Sequence, residues 1–545
     1  MANSRVCVAV TGRTMSEIRR NRDAAESAGG ADLVEMRLDT VDRPDAAGAL
    51  EGRRRPVIVT CRAEWEGGYF KGSEEERRRI LEEALAGGAE YVDIEARAGF
   101  AGDVIRERRG RGLVLSSHIF GSMPDDLESR WAALRSSGAE IAKLAVEARS
   151  LSDTLRLMTL AASAKSGEGT QDHVLIAMGD MGVASRILAT RIGNAWTYAG
   201  DNVAPGQISL RRLVDEFRFR DLRPDTEVYG VVGNPVMHSR SPVMHNAGFK
   251  CLGIDGVYLP LLAADAADFL TFARGLGLSG VSITAPFKVA LMSAADELDP
   301  LAQRVGAINT LAMRDGRWYG YNTDVHGFAA PLSRRLKDLP AKAGSHPSGA
   351  SVPSGFSRKA TGSPSGTSVA SGFSRKATGS AELQGTGDGW LPALGGRNQL
   401  RASILGAGGA ARAVAVALAD LGAEVTVCAR RPEAARELAD LAGGTVGPFP
   451  PAAGSWDLLV NSTPSDGDAS TNSPIPGAAL DGALVYELLY VPAITRLMAD
   501  ARAAGCTTIG GLEMLVAQAE KQFEIWTGQA PPGGLFQQVA GQMPV

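Results

Sequence analysis

Glu140-Ile-Ala-Lys143-Leu-Ala-Val146 is a short apolar run with a single lysine at its centre. A run of this length, too short for a typical helix, reads as a strand buried on both faces, the kind found in parallel sheets. Working outward from it, comparable runs lie at 6–10, 33–38, 56–61, 91–95, 112–117, 173–178 and 194–199. Amphipathic stretches separate them, such as 73–86, which begins on a Ser able to cap a helix. Eight strands alternating with helices predict an α/β chain whose N-terminal part, 1–222, is a closed (β/α)8 TIM barrel.

A second unit opens with a strand at 228–233 and continues in βα fashion to about 332. The composition then changes. From about 341 to 389 the chain is rich in Ser, Gly and Thr, and the decapeptide at 354–363 recurs unchanged at 371–380. So few apolar side chains cannot offset the entropy of ordering, so 336–398 is expected to be a disordered insert that loops out. Beyond it, 401–405 reads as a strand running into Gly406-Ala407-Gly408-Gly409-Ala410-Ala411 and an alanine-rich helix, a dinucleotide-binding pattern. The expected order is a substrate domain at 226–335, the insert, and a Rossmann domain at 399–511, with helices in 512–545 packing back onto the substrate domain.

With 545 residues, 44% apolar content and a net charge of -4 of interspersed sign, the chain has material for several cores and no broad basic surface for nucleic acid. The five cysteines show no Cys-x-x-Cys spacing and the six histidines no zinc-binding pair, so no metal is expected. No apolar run reaches membrane-spanning length, and the first residues do not resemble a secretory leader, so the expectation is a cytoplasmic protein acting on small molecules. Oligomeric state is left open.

Barrel enzymes place their chemistry at the C-terminal ends of the strands. Here Glu35 and Arg37 end the second strand, Arg62 and Glu66 follow the third, His118 ends the fifth, Lys143 lies within the sixth and Arg186 follows the seventh. A lysine between Ala142 and Leu144 must find partners or give up its charge. A neutral amine can add to a ketone, and the resulting Schiff base is an electron sink for proton loss at the neighbouring carbon. His118, one strand away, is placed to move that proton, and the three arginines suit a carboxylate. The alternative is a structural ion pair of Lys143 with Glu35 or Glu66.

Glu35-Met-Arg37-Leu-Asp39, Thr60-Cys-Arg62, Glu66-Gly-Gly68, Ser117-His118, Lys143-Leu-Ala-Val146, Ser185-Arg186 and Ala204-Pro-Gly-Gln207 together resemble type I 3-dehydroquinate dehydratases over the first 220 residues. The resemblance implies a Schiff base on Lys143, acid–base work by His118 oriented by Glu66, and substrate held by Glu35, Arg37, Arg62, Arg186 and Gln207. It departs at Val203, where the family usually has a serine, which implies the loss of one hydrogen bond to substrate.

In the C-terminal half, Gly406 permits a tight turn, Gly408 lets backbone approach a pyrophosphate, and Ala411 seats the helix on the strand. The next strand ends at Ala429-Arg430-Arg431, and two arginines where an NAD enzyme would carry an acid favour the 2′-phosphate of NADP. Upstream, Ser239 and Ser241 sit on a turn opening a helix, a place suited to a carboxylate. Lys288 and Asp324 fall on loops after separate strands and could relay a proton to an alkoxide formed by hydride delivery; a structural ion pair is the alternative. With Thr284, Asn309-Thr310, Tyr486 to Pro492 and Gly511 to Gln518, these segments resemble shikimate dehydrogenases over roughly 227–545, the insert excepted. That resemblance implies Lys288 and Asp324 as the catalytic pair, Ser239, Ser241, Thr284, Asn309, Tyr490 and Gln518 around the substrate, and Leu488 and Gly511 near the nicotinamide. It departs from the commonest bacterial pattern at Ser282, Val325 and Glu487, the serine resembling the fused plant enzymes. Two rival readings remain: a quinate-oxidising NAD enzyme, or a chain in which one half has become a binding module.

Overall fold

The computed structural model describes residues 4–163, 171–200, 206–338, 399–464, 468–475 and 477–542. The Ser/Gly-rich insert and Val203 lie outside the described residues. The chain divides into two compact units, Met1–Asp324 with Gln518–Val545, and Val325–Ala517.

The first unit begins with eight parallel strands: β1 (Arg5–Val10), β2 (Leu33–Arg37), β3 (Val57–Thr60), β4 (Tyr91–Glu95), β5 (Leu113–Ile119), β6 (Ile141–Glu147), β7 (Asp172–Met178) and β8 (Trp196–Ala199). Side chains alternate across each strand. Cys7 and Ala9 of β1 join Ile141 and Ala145 of β6 and Trp196 and Tyr198 of β8 in an inner core. Val6, Val8, Leu144 and Val146 belong to the outer core beneath the helices. By this period Lys143 shares the inward face of β6 with Ile141 and Ala145, and Asp93 that of β4 with Tyr91. The expected barrel is nearly closed, with a seam where β7 and β8 share no paired register among the described residues. Buried Asn194 bridges it, accepting from Leu175 N–H and donating to the Leu175 carbonyl at 2.9 Å each, while Ala195 N–H donates to His173 O at 2.8 Å.

The same unit holds a second sheet, of β9 (Glu227–Gly233), β10 (Gly256–Leu262), β11 (Gly280–Ile283), β12 (Glu297–Leu298), β13 (Thr310–Arg314) and β14 (Arg317–Tyr321), in the order β10-β9-β11-β13-β14-β12. The βα alternation expected to about 332 holds through β11 and then gives way to a hairpin. β13 and β14 form an antiparallel hairpin, turned by Asp315 and Gly316 at φ 51° and 75°. Asp-Gly is the dipeptide that suits such a turn, since both residues take positive φ.

Barrel and second sheet meet through directed polar contacts. Asp268 accepts from the backbone N–H of Leu151 at 3.0 Å and Ser152 at 2.8 Å, satisfying the open N-terminus of the barrel helix Leu151–Ser163, and also from Ala264 N–H at 3.0 Å. Arg191 of the barrel donates to the carbonyls of Thr226 and Leu276 at 3.3 and 3.0 Å. The chain's last segments return to this unit. The helix Leu535–Gly541 packs on Ser241–Leu252, with Phe523, Trp526 and Phe536 ringing His245. Arg240 donates to the Ala540 carbonyl at 2.8 Å.

The second unit carries β15 (Arg401–Leu405), β16 (Glu424–Cys428), β17 (Thr445–Val446), β18 (Leu458–Asn461), β19 (Leu484–Glu487) and β20 (Thr507–Ile509), ordered β17-β16-β15-β18-β19-β20 and all parallel. This is the 3-2-1-4-5-6 order of a Rossmann sheet, with its topological switch between β15 and β18.

Asp268→Ala should orphan two buried helix-terminal donors and cost the first unit roughly 1–3 kcal/mol, read as a lower denaturant midpoint with an unchanged m-value.

Candidate active sites

A cavity of about 210 Å³ opens within the barrel, and Glu35, Arg37, Arg62, Glu66, His118, Lys143, Arg186 and Gln207 all line it. Lys143 is buried, and its Nζ donates to Asp93 Oδ2 at 2.9 Å and to the Tyr198 hydroxyl at 3.0 Å. Its carboxylate partner is therefore Asp93, not Glu35 or Glu66. Asp93 also accepts from Ser116 Oγ at 2.5 Å and pairs with Arg62 at 3.1 Å. Burial alone would raise its pKa, but the charges of Arg62 and Lys143 outweigh this and hold it far below the usual carboxylate range. Arg62 pairs in turn with Glu95 at 3.0 Å, and Glu95 with fully buried Arg77. Glu35 accepts from Thr60 Oγ1 at 2.6 Å.

His118 and Glu66 make a second pair. Glu66 Oε1 accepts from the His118 backbone N–H at 2.7 Å and lies 3.1 Å from His118 Nδ1. Burial, followed by the charges of Arg62 and Lys143, pushes the His118 pKa well below its usual value, so the ring is neutral. Burial lifts Glu66 to about 7. With Glu66 ionised, Nδ1–H donates to it and Nε2 keeps its lone pair as a base.

The arginines differ in their readiness for a ligand. Arg37 already pairs twice with Asp39, at 2.9 and 2.7 Å. Arg186, fully buried, donates to the Ala177 carbonyl at 2.7 Å, and burial drags its pKa down to about 10 against weak opposition from Asp180. A ligand carboxylate would relieve that desolvation.

In the second sheet of the same unit, Lys288 Nζ donates to Asp324 Oδ2 at 2.5 Å. Asn309 is the hub: its Nδ2 donates to Asp324 Oδ1 at 2.9 Å, Thr323 Oγ1 at 2.9 Å and Gln518 Oε1 at 3.3 Å. Its Oδ1 accepts from Thr323 N–H at 2.7 Å and Thr310 Oγ1 at 2.9 Å. Ile308 N–H donates to the Lys288 carbonyl at 2.9 Å, tying the lysine loop to the asparagine loop. Ser239 Oγ accepts from Ser241 N–H at 3.2 Å, and Thr284 abuts Gly233 at the head of that turn. Ser282 accepts from Tyr258 at 2.6 Å and donates to Gln522 at 2.7 Å, so this departure from the bacterial pattern is fully bonded.

In the second unit Gly406 has φ 97°, the tight turn that glycine allows, and open space stands where a Gly408 side chain would be. Gly408 caps the helix Gly409–Asp420, and Ala411 is buried against the sheet. Arg430 lines a cavity of about 240 Å³ with Asn461, Thr463 and Glu487 at the ends of β18 and β19. Arg431 stands at the N-cap position of the helix Pro432–Ala442, without a capping bond from its side chain. The N-terminal amides, the glycine turn and Arg430 fit a phosphorylated dinucleotide. Leu488 and Gly511 touch, a Cβ at Gly511 meeting the Leu488 carbonyl at 2.2 Å, so packing alone requires glycine there. Tyr490 follows β19 in this unit, while the serines, Thr284 and Asn309 belong to the first.

Asp93 and Tyr198 stand within strands, where a search for ionisable residues at strand ends does not find them. Their signal was the inward face: Asp93 and Glu95 alternate along β4 as Ile141, Lys143 and Ala145 do along β6. Among the described residues no cluster of His, Cys, Asp or Glu could hold a metal ion, and no helix is long and apolar enough to cross a membrane.

A barrel holding a buried lysine against a carboxylate, followed by a mixed sheet with a Lys–Asp pair and a Rossmann sheet, defines a two-site enzyme joining a lyase to a dehydrogenase. Residues 6–223 match the family model described as type I 3-dehydroquinase, 231–311 the shikimate dehydrogenase substrate binding domain, and 511–539 the shikimate 5′-dehydrogenase C-terminal domain. The chain is 33% identical over 540 residues to the chloroplastic bifunctional 3-dehydroquinate dehydratase/shikimate dehydrogenase of Arabidopsis thaliana, covering 94% of this chain and 80% of the relative. It is 36% identical over 330 residues to the NADP(+) shikimate dehydrogenase of Citrifermentans bemidjiense, covering 57% of this chain and 93% of the relative. Among solved structures, the Thermus thermophilus shikimate 5-dehydrogenase in complex with NADP(H) and shikimate is 29% identical, covers 58% of this chain and 99% of that one, and has a TM-score of 0.44. The chain belongs to the bifunctional 3-dehydroquinate dehydratase/shikimate dehydrogenase family.

Asp93→Ala should leave Arg62 and Lys143 short of a buried counter-charge and lower stability by about 3–5 kcal/mol in chemical denaturation; an unchanged midpoint would show that the network is dispensable.

Proposed function

We propose that this chain dehydrates 3-dehydroquinate to 3-dehydroshikimate in its barrel and reduces that product to shikimate with NADPH in its C-terminal half. The observation that carries the reading is the single barrel cavity in which Lys143, the His118–Glu66 pair and Arg186 converge. Lys143 forms the Schiff base with the substrate ketone. His118, neutral and held through Nδ1, removes the proton from the adjacent carbon with Nε2 and returns a proton to the departing hydroxyl. Arg186 takes the substrate carboxylate, whose charge offsets the desolvation of a buried guanidinium. Glu35, Arg37, Arg62 and Gln207 border the ring and hold its polar groups.

In the reductase half NADPH supplies the hydride. Gly406, Ala407, Gly408, Gly409 and Ala410 present backbone to its pyrophosphate, and Arg430 with Arg431 faces the 2′-phosphate. Leu488 and Gly511 border the nicotinamide. Asp324, oriented by Asn309, holds the Lys288 ammonium, which delivers a proton to the alkoxide oxygen. Ser239, Ser241, Thr284 and Gln518 hold the substrate carboxylate and hydroxyls. A cytoplasmic location is in keeping with five free cysteines, four of them buried. The proposed domain limits are 1–222, 226–335 with the returning C-terminal helices, and 399–511, with 336–398 as the insert between the last two.

Purified protein given 3-dehydroquinate and NADPH together should consume NADPH, followed at the nicotinamide absorbance band. If it consumes NADPH from 3-dehydroshikimate but not from 3-dehydroquinate, the dehydratase reading is wrong; if from neither, the reductase reading is. The barrel rate should also decline as pH falls through about 7, because Glu66 then protonates and His118 loses the acceptor that orients it. Glu66→Gln removes that titration, so kcat should drop by roughly tenfold or more while the limb near pH 7 disappears, as read from a kcat/KM profile of the dehydration alone.

A further inference from the structure

We propose that the Tyr198 hydroxyl is a further catalytic residue of the barrel, shuttling a proton from the Lys143 nitrogen to the substrate oxygen as amine adds to ketone. This rests on the Schiff-base reading above.

Tyr198 belongs to β8, and the inward alternation of that strand aims its ring into the cavity beside Lys143. Its oxygen accepts from Lys143 Nζ at 3.0 Å, and Nζ also stands 4.6 Å from the ring centroid. The phenol's own proton has no acceptor among the described residues, so it is available to a ligand on the cavity side. Burial, reinforced by Glu35, keeps the phenol protonated far above its ordinary range.

The other groups near Nζ are committed. Asp93 is held ionised between Arg62, Ser116 and Lys143 and has no proton to give. His118 is fixed to Glu66 and serves the carbon acid. Once the Lys143 ammonium has released one proton to solvent, addition of the resulting neutral amine moves the nitrogen lone pair into a new N–C bond and the carbonyl π pair onto oxygen, leaving an ammonium beside an alkoxide. Neutralising that pair requires a proton to leave nitrogen and another to reach oxygen. Tyr198 does both at once: its oxygen takes the Nζ proton while its own proton passes to the alkoxide. The carbinolamine forms neutral, and the phenol ends as it began. Phenylalanine at 198 keeps the ring against the inner core and removes only the hydroxyl, taking with it the relay and the bond from Lys143.

The test is a single turnover of the full chain with 3-dehydroquinate, quenched with borohydride at increasing times, with the reduced adduct at Lys143 quantified by mass. Tyr198→Phe should slow adduct formation by about 10²-fold, the lower end for general acid–base assistance, and should lose the solvent deuterium isotope effect that wild type shows on this step. Reductase turnover of 3-dehydroshikimate by the same sample, unchanged, confirms that the variant is folded. If wild type is trapped and Y198F is trapped equally fast, the shuttle is overturned and the Schiff base stands. If wild type itself is not trapped, the Schiff-base reading fails, and the shuttle with it. Should Y198F unfold, 3-fluorotyrosine at 198 preserves shape and makes the phenol more acidic: an altered trapping rate supports the relay, and an unaltered one overturns it.

Discussion

A single line of alternating charge runs through the barrel: Lys143, Asp93, Arg62, Glu95, Arg77 and finally Glu74, of which only the last is substantially exposed. Each ion in it would be costly to bury alone, because desolvation of an unpaired charge exceeds what one packed side chain returns. Paired on both sides, each ion fixes the orientation of the next. The nucleophile's position is thus set from residues several strands away. The barrel has to supply this order, since the members come from β4, β6, the segment after β3 and the helix Glu74–Ala86.

The reductase cluster solves the same problem with neutral groups. Asn309 has one donor face and one acceptor face, and both are fully used: the first toward Asp324, Thr323 and Gln518, the second toward Thr323 and Thr310. An amide hub rigidifies three loops without adding a charge beside the Lys288–Asp324 pair. Gln522, one turn beyond Gln518, donates to the Asn309 carbonyl and to Thr310, at 3.0 and 2.9 Å, so the returning C-terminal helix is part of the substrate side.

Barrel and substrate sheet are one compact unit, with Asp268 capping a barrel helix and Arg191 reaching the carbonyls of Thr226, just before β9, and of Leu276. Such contacts are directional, and a buried carboxylate holding three backbone donors resists sliding in a way that apolar surface does not. The first active site and the substrate-binding half of the second are therefore carried by a common core.

Much of this was legible in the chain itself. Local periodicity marks strands and helices because side-chain direction repeats every two or every 3.6 residues, and so the strand count, the Rossmann turn and the ionisable residues at strand ends could be read directly. The seven barrel residues picked that way line one cavity, together with Gln207, which only the family resemblance pointed to. Partnership could not be read. Lys143 meets Asp93 and Tyr198 across sequence separations of 50 and 55 residues, and which inward side chains face one another depends on how the strands stagger as the sheet curls. The same is true of the seam at Asn194 and of Asp268, while the Asp-Gly hairpin was a local signal overridden by an assumed βα rhythm. The sequence determined which groups are present and on which face each stands; tertiary structure alone decided which charge answers which, because pairing energies depend on distance and burial that only the closed fold creates.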